Sequence, residues 1–165
     1  MAKSDSFFIR ASVTTNTSNY NQNEIDLGSF VNLGVSKSTI LRIHNVAASY
    51  FDSNLFSAPI LDAADAKISF QLTTQTQSAL VLPTDKSLVS SGSLIVKTGM
   101  TPSQDYDVAP QDWTQGYLVG TDSMFLGCDM NTGLDSGDVT IAVVMECTLE
   151  AATQANSVAL ALSQQ

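Results

Sequence analysis

The sequence predicts an all-β protein: an antiparallel β-sandwich with the strand content of an eight-stranded jelly roll, closed by a short C-terminal helix. Three observations carry that prediction. In Asp138 to Leu149 (DVTIAVVMECTL), Val139, Ile141, Val143, Met145, Cys147 and Leu149 fall on one side of a two-residue period. That is the pattern of a strand laying one face on a core. Eight or nine short segments of this kind recur with turn residues between them and no long helical stretches, which argues against a parallel sheet of strand–helix–strand units. No internal repeat is visible, so a propeller or solenoid is not expected.

In chain order, Phe7, Ile9, Ala11 and Val13 alternate with Phe8, Arg10, Ser12 and Thr14 to give a first strand. Asn16 to Asn23 (NTSNYNQN) reads as a polar turn region, and Ile25 to Val31 as a short second strand with Gly28 marking a bulge or a close approach. Ser38 to Val46 is a third strand whose alternation breaks around Ile40 and Leu41. Ala47 to Ala66 is the least regular stretch, with one helical turn suggested at Asp62-Ala63-Ala64. Lys67 to Thr74 alternates cleanly, and Ala79 to Leu82 is a short apolar segment ended by Pro83. Ser93 to Lys97 is a strand entered through Ser90-Ser91-Gly92, and Met100 to Asp112 is a loop. Gly116 to Val119 and Met124 to Cys128 are two further short strands.

After the Asp138 to Leu149 strand the period changes. Ala151, Ala155, Val158 and Leu162 recur at four, three and four, the spacing of a helix face, so residues 150–163 form a helix or arm. It packs on its own sandwich or reaches a neighbouring copy. The second face of Asp138 to Leu149 (Thr140, Ala142, Val144, Glu146, Thr148) is small and only half polar, so it too is expected to be covered, by that helix or by a neighbour.

The whole chain, residues 1–165, reads as one domain. Its hydrophobic share is 44%, enough for a core that needs neither staples nor metals. Only 14% of residues are charged, which leaves a neutral-polar surface compatible with packing against copies of itself. The net charge is −9, from 16 acids against seven scattered Lys and Arg. Such a chain offers no electrostatic footprint for phosphate backbones, so nucleic-acid binding is not expected. No apolar run is long enough for a membrane span, and MAKSDSFFIR lacks the apolar core of a secretory leader. Cys128 and Cys147 are expected to be free thiols, with Cys147 buried as a small hydrophobe.

Few residues invite chemistry. His44 is the only histidine and has no recognisable nucleophile or orienting acid, so a structural role is expected. G-x-S-x-G, H-E-x-x-H, P-loop and G-x-G-x-x-G motifs are all missing from the sequence. Glu146 is the best-placed acid for a paired-carboxylate hydrolase, against the simpler reading of an exposed or ion-paired strand glutamate. The run Asp129 to Asp138 places oxygen side chains between glycines as a calcium loop does, with Asp129, Asn131, Asp135 and Asp138 as ligands. It departs from the EF-hand pattern at Gly133 and at the terminal Glu, and its residues are also those of any loop between strands. Trp113, with Tyr117 and Tyr106 nearby, offers either an aromatic platform for sugars or, the favoured reading, a loop tryptophan plugging one end of the core.

Several phrases then accumulate: Phe7-Phe8-Ile9-Arg10, Ile25-Asp26-Leu27-Gly28, Leu41-Arg42-Ile43-His44-Asn45, Thr84-Asp85-Lys86-Ser87, Ala109-Pro110-Gln111-Asp112-Trp113, Gly116-Tyr117-Leu118-Val119 and Leu160-Ala161-Leu162-Ser163-Gln164-Gln165. Together they resemble a group of short structural proteins encoded by marine viruses, over nearly the whole length. The resemblance implies a structural virion protein: a single jelly-roll capsid subunit, not an enzyme, needing no cofactor and partnered by copies of itself and other virion proteins. Capsid proteins often carry a basic arm for the genome; this N-terminus offers only Lys3 and Arg10, which argues against direct genome contact. The alternative is a carbohydrate-binding β-sandwich, such as a viral attachment protein, working through Trp113 and Tyr117.

Overall fold

The computed structural model describes residues 4–17, 19–33, 37–57, 65–131 and 137–165. Among them are the strands β1 (Phe7–Thr14), β2 (Asn21–Asp26), β3 (Ser38–Phe51), β4 (Ala66–Thr73), β5 (Leu88–Val96), β6 (Ser103–Val108), β7 (Tyr117–Val119), β8 (Ser123–Met130) and β9 (Thr140–Ala152). A 3₁₀ turn covers Pro110–Asp112, and α1 spans Gln154–Ser163. The strands form two antiparallel sheets, ordered β1-β9-β3-β7 and β2-β8-β4-β5-β6. The pairs β1–β9, β2–β8, β3–β7 and β4–β5 are nested, as if one long hairpin had been rolled up. That is a jelly roll, with β6 added as a ninth strand on one edge.

The core lies between the sheets. Across the four-stranded sheet its rows are Ile9, Met145 and Val46, then Ala11, Val143 and Ala48, then Val13, Ile141 and Tyr50. Phe70, Leu72, Leu126 and Met124 face them from the other sheet. The alternation expected for Asp138 to Leu149 holds through Cys147, because β9 is central and one of its faces is the core.

The boundaries differ where local chemistry misleads. The polar Asn21–Asp26 is a strand, not a turn, and Leu27 to Val31 turns back on itself through Phe30 and Val31 donating to the Leu27 carbonyl. β3 runs on to Phe51, and its break falls at His44 instead of Ile40. There a bulge sets two residues against one, so the inward positions switch from Leu41 and Ile43 to Val46, Ala48 and Tyr50. β5 begins at Leu88, and the Met100 to Asp112 loop contains β6. The helical turn suggested at Asp62-Ala63-Ala64 lies outside the described residues.

The C-terminal helix forms as expected, with Thr153 as its N-cap, but it packs by a different face. Ser157 and Gln164 are buried and Leu160 and Ala161 half-buried, whereas Ala155, Val158 and Leu162 point outward. Ala151 belongs to β9 and is exposed. The main contacts of α1 are with β3 and β7, so it does not supply the expected cover for β9. Thr140, Ala142, Val144 and Glu146 are half-buried, and Thr148 is buried.

Candidate functional site

The residues singled out in the sequence do not converge. Asp129, at the end of β8, accepts from the Met130 N–H at 2.7 Å. Asn131 accepts from the Lys67 N–H at 2.7 Å and returns its own N–H to the Lys67 carbonyl at 3.1 Å, extending the β4–β8 ladder by one rung. Asp138 accepts from the Thr17 N–H at 2.7 Å and the Thr15 hydroxyl at 3.1 Å, tying the start of β9 to the end of β1. These oxygens cap strand ends. Asp135 lies outside the described residues, and among the described ones no group of three His, Cys, Asp or Glu is placed to hold a metal.

Trp113 does not plug the core. It follows the 3₁₀ turn with 52% of its surface exposed. The reason is the turn itself: Pro110 takes the buried position there, leaving Trp113 on the outside. Tyr117, on β7, is half-buried, and burial pushes its phenol pKa up. Tyr106 belongs elsewhere, edge-on to Phe70 at 6.1 Å, so the three rings form no shared platform. His44 sits at the bulge with Nε2 2.8 Å from the Thr148 hydroxyl, and Glu146 accepts from Asn45 at 2.6 Å. Cys128 and Cys147 are free and buried. They sit in different sheets, on β8 and β9, and not on one hairpin. Burial pushes both thiols up to about 12.

The polar side chains that matter most to the architecture belong to no recognisable sequence motif. On the outward face of β3 and β9, Arg42 donates from Nε and Nη2 to both carboxylate oxygens of Glu150, at 2.6 and 2.9 Å, and from Nη1 to the Gln115 carbonyl. Both side chains are buried. The signal was available: Glu150 continues the outward series of Glu146 and Thr148, and Arg42 interrupts an otherwise apolar run.

The second set closes the sandwich. Asn21 and Asn23 on β2 reach across to β1, donating to the Thr14 and Ser12 carbonyls at 2.7 and 2.8 Å. On the opposite side, the Gln111 amide accepts from the Val46 N–H and donates to the Val46 carbonyl, both at 3.0 Å. One rung further along β3, the Tyr106 hydroxyl accepts from the Ala48 N–H at 2.9 Å, and Gln104 donates to the Ala48 carbonyl at 2.8 Å. The two edge strands of the larger sheet, with the 3₁₀ turn that follows β6, thus satisfy backbone groups that the smaller sheet would otherwise present as a template for further strands. Gln164 does the same for β7, accepting from Gly120 N–H at 2.9 Å and donating to the Leu118 carbonyl at 2.6 Å.

Large apolar side chains stay exposed in several places, Phe8, Leu82, Met100 and Trp113 among them, and two groups lie near the ends of β3. Around α1 are Val158 and Leu162, 42% and 63% exposed. Beyond the far end of β3 are Leu55 and Phe56, 75% and 69% exposed. No helix among the described residues is long and apolar enough to cross a membrane.

No protein-family model matches the sequence, and no curated sequence is similar to it. Solved structures are similar in fold. VP1 of New Jersey polyomavirus, without ligand, superposes with a TM-score of 0.52 at 8% identity, over 90% of this chain and 100% of that one. VP1 of human polyomavirus 12, solved with 3'-sialyllactosamine, gives 0.47 at 11% identity over 90% and 100%. Desmodium yellow mottle tymovirus gives 0.38 at 8% identity over 90% and 88%. The chain is an antiparallel jelly-roll sandwich with a short C-terminal helix, and it shares its fold with a polyomavirus VP1.

Proposed function

We propose that this chain is a structural virion protein, a jelly-roll shell subunit that assembles with copies of itself and with other virion proteins. The observation that carries the reading is the roll of eight nested strands, held in common with New Jersey polyomavirus VP1 over nine tenths of the chain. The surface supports it. The outward rows Ser12, Ala142 and Ser49, and Thr14, Thr140 and Phe51, carry no charge at all, as a face meant to meet another protein would not. The proposed role is non-enzymatic, and the hydrogen bonds of His44 to Thr148 and of Glu146 to Asn45 support it. With 16 acids against seven Lys and Arg, genome contact falls to other components of the virion. A marine host rests on the phrase likeness alone.

Electron microscopy of the purified protein, or of particles containing it, tests the proposal. Closed shells or a repeated lattice are expected. A protein that stays monomeric at high concentration in every buffer overturns it.

A second reading is favoured by one observation, the exposure of Trp113. It makes the chain a carbohydrate-binding module using Trp113 with Tyr117. Glycan-array binding that is lost in Trp113→Ala would promote this reading over the first. Calcium at Asp129, Asn131, Asp135 and Asp138 is a subsidiary proposal, opposed by the hydrogen bonds three of these side chains already accept. Isothermal titration with millimolar calcium decides it, heat supporting the site and its lack ending it.

A further inference from the structure

Near the two ends of β3 the subunit carries an apolar groove and a projecting apolar turn. Between α1 and the outward side of β3 and β7 lies a groove of about 620 Å³, floored by Ile40 and Leu118 and walled by Ala152, Ala159 and Leu160. Among the described residues, Lys37 is the one charged residue that lines it. Val158 and Leu162 lie on the other side of α1, away from the groove.

At the far end of β3 the chain makes a tight turn. The Asp52 carboxylate accepts from the Asn54 and Phe56 N–H groups at 2.9 and 3.0 Å, and Asp52 N–H donates to the Phe56 carbonyl at 3.0 Å. The turn holds Leu55 at φ 66°, a left-handed conformation that glycine or asparagine adopts far more readily. Stability alone would select against a leucine there, and burial does not explain it. Two large apolar side chains are held outward by a hydrogen-bonded frame and at some strain, the condition found at recognition sites.

The two features cannot meet within one subunit. From Ile40 to Phe51 is eleven residues of strand, about 36 Å at the usual rise. They can meet between subunits. We propose that the Leu55–Phe56 turn of one copy seats in the groove between α1 and the β3–β7 face of the next, bringing Asp52 beside Lys37. Charge complementarity makes the occupant a second copy of this chain. Both surfaces are apolar with a single charge each, and those charges are opposite. The contact is head-to-tail, the kind that generates rings or continuing lattices and not a closed pair. The proposal rests on the shell-subunit reading and names one of its contacts.

Cross-linking tests it directly on the full chain. Leu55→Cys and Ala159→Cys are made as separate proteins, both at exposed positions, while native Cys128 and Cys147 are buried and inert. On mixing and mild oxidation, the mixed disulfide is expected to form well above either homodimer. Phe56→Ser and Ala159→Glu, each checked for an unchanged circular-dichroism spectrum, are expected to weaken association about tenfold or more, as loss of an aromatic anchor does. If the wild type assembles but these variants assemble equally well and the mixed disulfide does not dominate, this contact is wrong and the shell reading stands. If Ala159→Glu alone disrupts assembly, the groove takes another occupant and the contact is again wrong. If the wild type never associates, both fall.

Discussion

Arg42 and Glu150 meet through two parallel hydrogen bonds on the outward face of the four-stranded sheet, both out of reach of water. The position is unusual, because an outward sheet face is normally where charges are solvated. Here the loop that supplies the Gln115 carbonyl closes over the pair, taking a third N–H of the guanidinium's five. A buried pair adds little net stability over an apolar pair of the same shape, yet removing one partner strands the other charge. Arg42→Met alone and Glu150→Leu alone are each expected to lower unfolding stability by about 3–5 kcal/mol. The double variant is expected to lose less than either single change. Urea titrations of the three proteins give the cycle, and single variants within about 1 kcal/mol of wild type would refute the isolation of the pair.

The edge seals make a separate expectation. Tyr106→Phe keeps the ring packed edge-on against Phe70 but removes the acceptor for the Ala48 N–H. The expected loss is about 1 kcal/mol, from one buried donor left unmade. Gln111→Leu removes both bonds to Val46 and opens β3 to foreign strands. It is expected to unfold at lower temperature and to scatter light earlier in the melt than Tyr106→Phe. Equal turbidity onsets at matched stability would show that the seal has no anti-aggregation role.

These seals also show where the fold was legible and where it was not. β9 could be read because it is central, with one face wholly in the core and a strict period. β2 and β6 could not, because edge strands need few apolar residues: Asn21 and Asn23 face the backbone of β1, and β6 commits only Tyr106 and Val108 inward. Ser90-Ser91-Gly92 reads as a turn for the same chemical reason, yet it lies mid-strand. A Cβ on Gly92 would stand 2.6 Å from the Asp105 carbonyl oxygen and 2.9 Å from Phe70, so the glycine admits β6 and does not bend β5. The bulge at His44 reverses the inward parity of β3, which no fixed period can follow. The packed face of α1 is not its apolar stripe, so hydrophobic spacing points to the wrong side of the helix. Ser157 and Gln164 are buried through hydrogen bonds, and the apolar stripe was left outside.

Alkaline pH is expected to destabilise the fold through the thiols. Burial raises Cys128 and Cys147 from 9.0 to about 12, so the folded state holds these protons more tightly than the unfolded chain does. The stabilisation is therefore intact below pH 9 and is lost as pH climbs toward 12. The phenols of buried Tyr50 and half-buried Tyr20 and Tyr117 are shifted the same way by burial and reinforce the trend. The urea midpoint should be lower at pH 10.5 than at pH 8. At pH 8 a thiol-specific reagent should leave both cysteines untouched in the native protein and label both in urea. Fast labelling of the native protein would contradict their burial.

Gln164 carries the last prediction, because it links the fold to assembly. Its side chain bridges the Leu118 carbonyl and the Gly120 N–H, and its own carbonyl accepts from Thr74 at 2.8 Å. One residue thus fastens the end of α1 to the free edge of β7 and to the β4–β5 connection. Gln164→Ala keeps the Thr74 bond but leaves two backbone groups of the β7 edge unpaired at a buried site, a loss of about 1–3 kcal/mol. The helix packs by only half a face, Leu160 and Ala161 beside Ser157, so little else would hold its last turn. Hydrogen exchange should then show faster amide exchange in α1 and at Gly120, with β9 unchanged. Since α1 walls the groove proposed to receive the neighbouring turn, association should weaken in the same variant even at temperatures where the sandwich remains folded. Loss of protection across β9 as well would mean that α1 is part of the cooperative core and not a separately anchored wall.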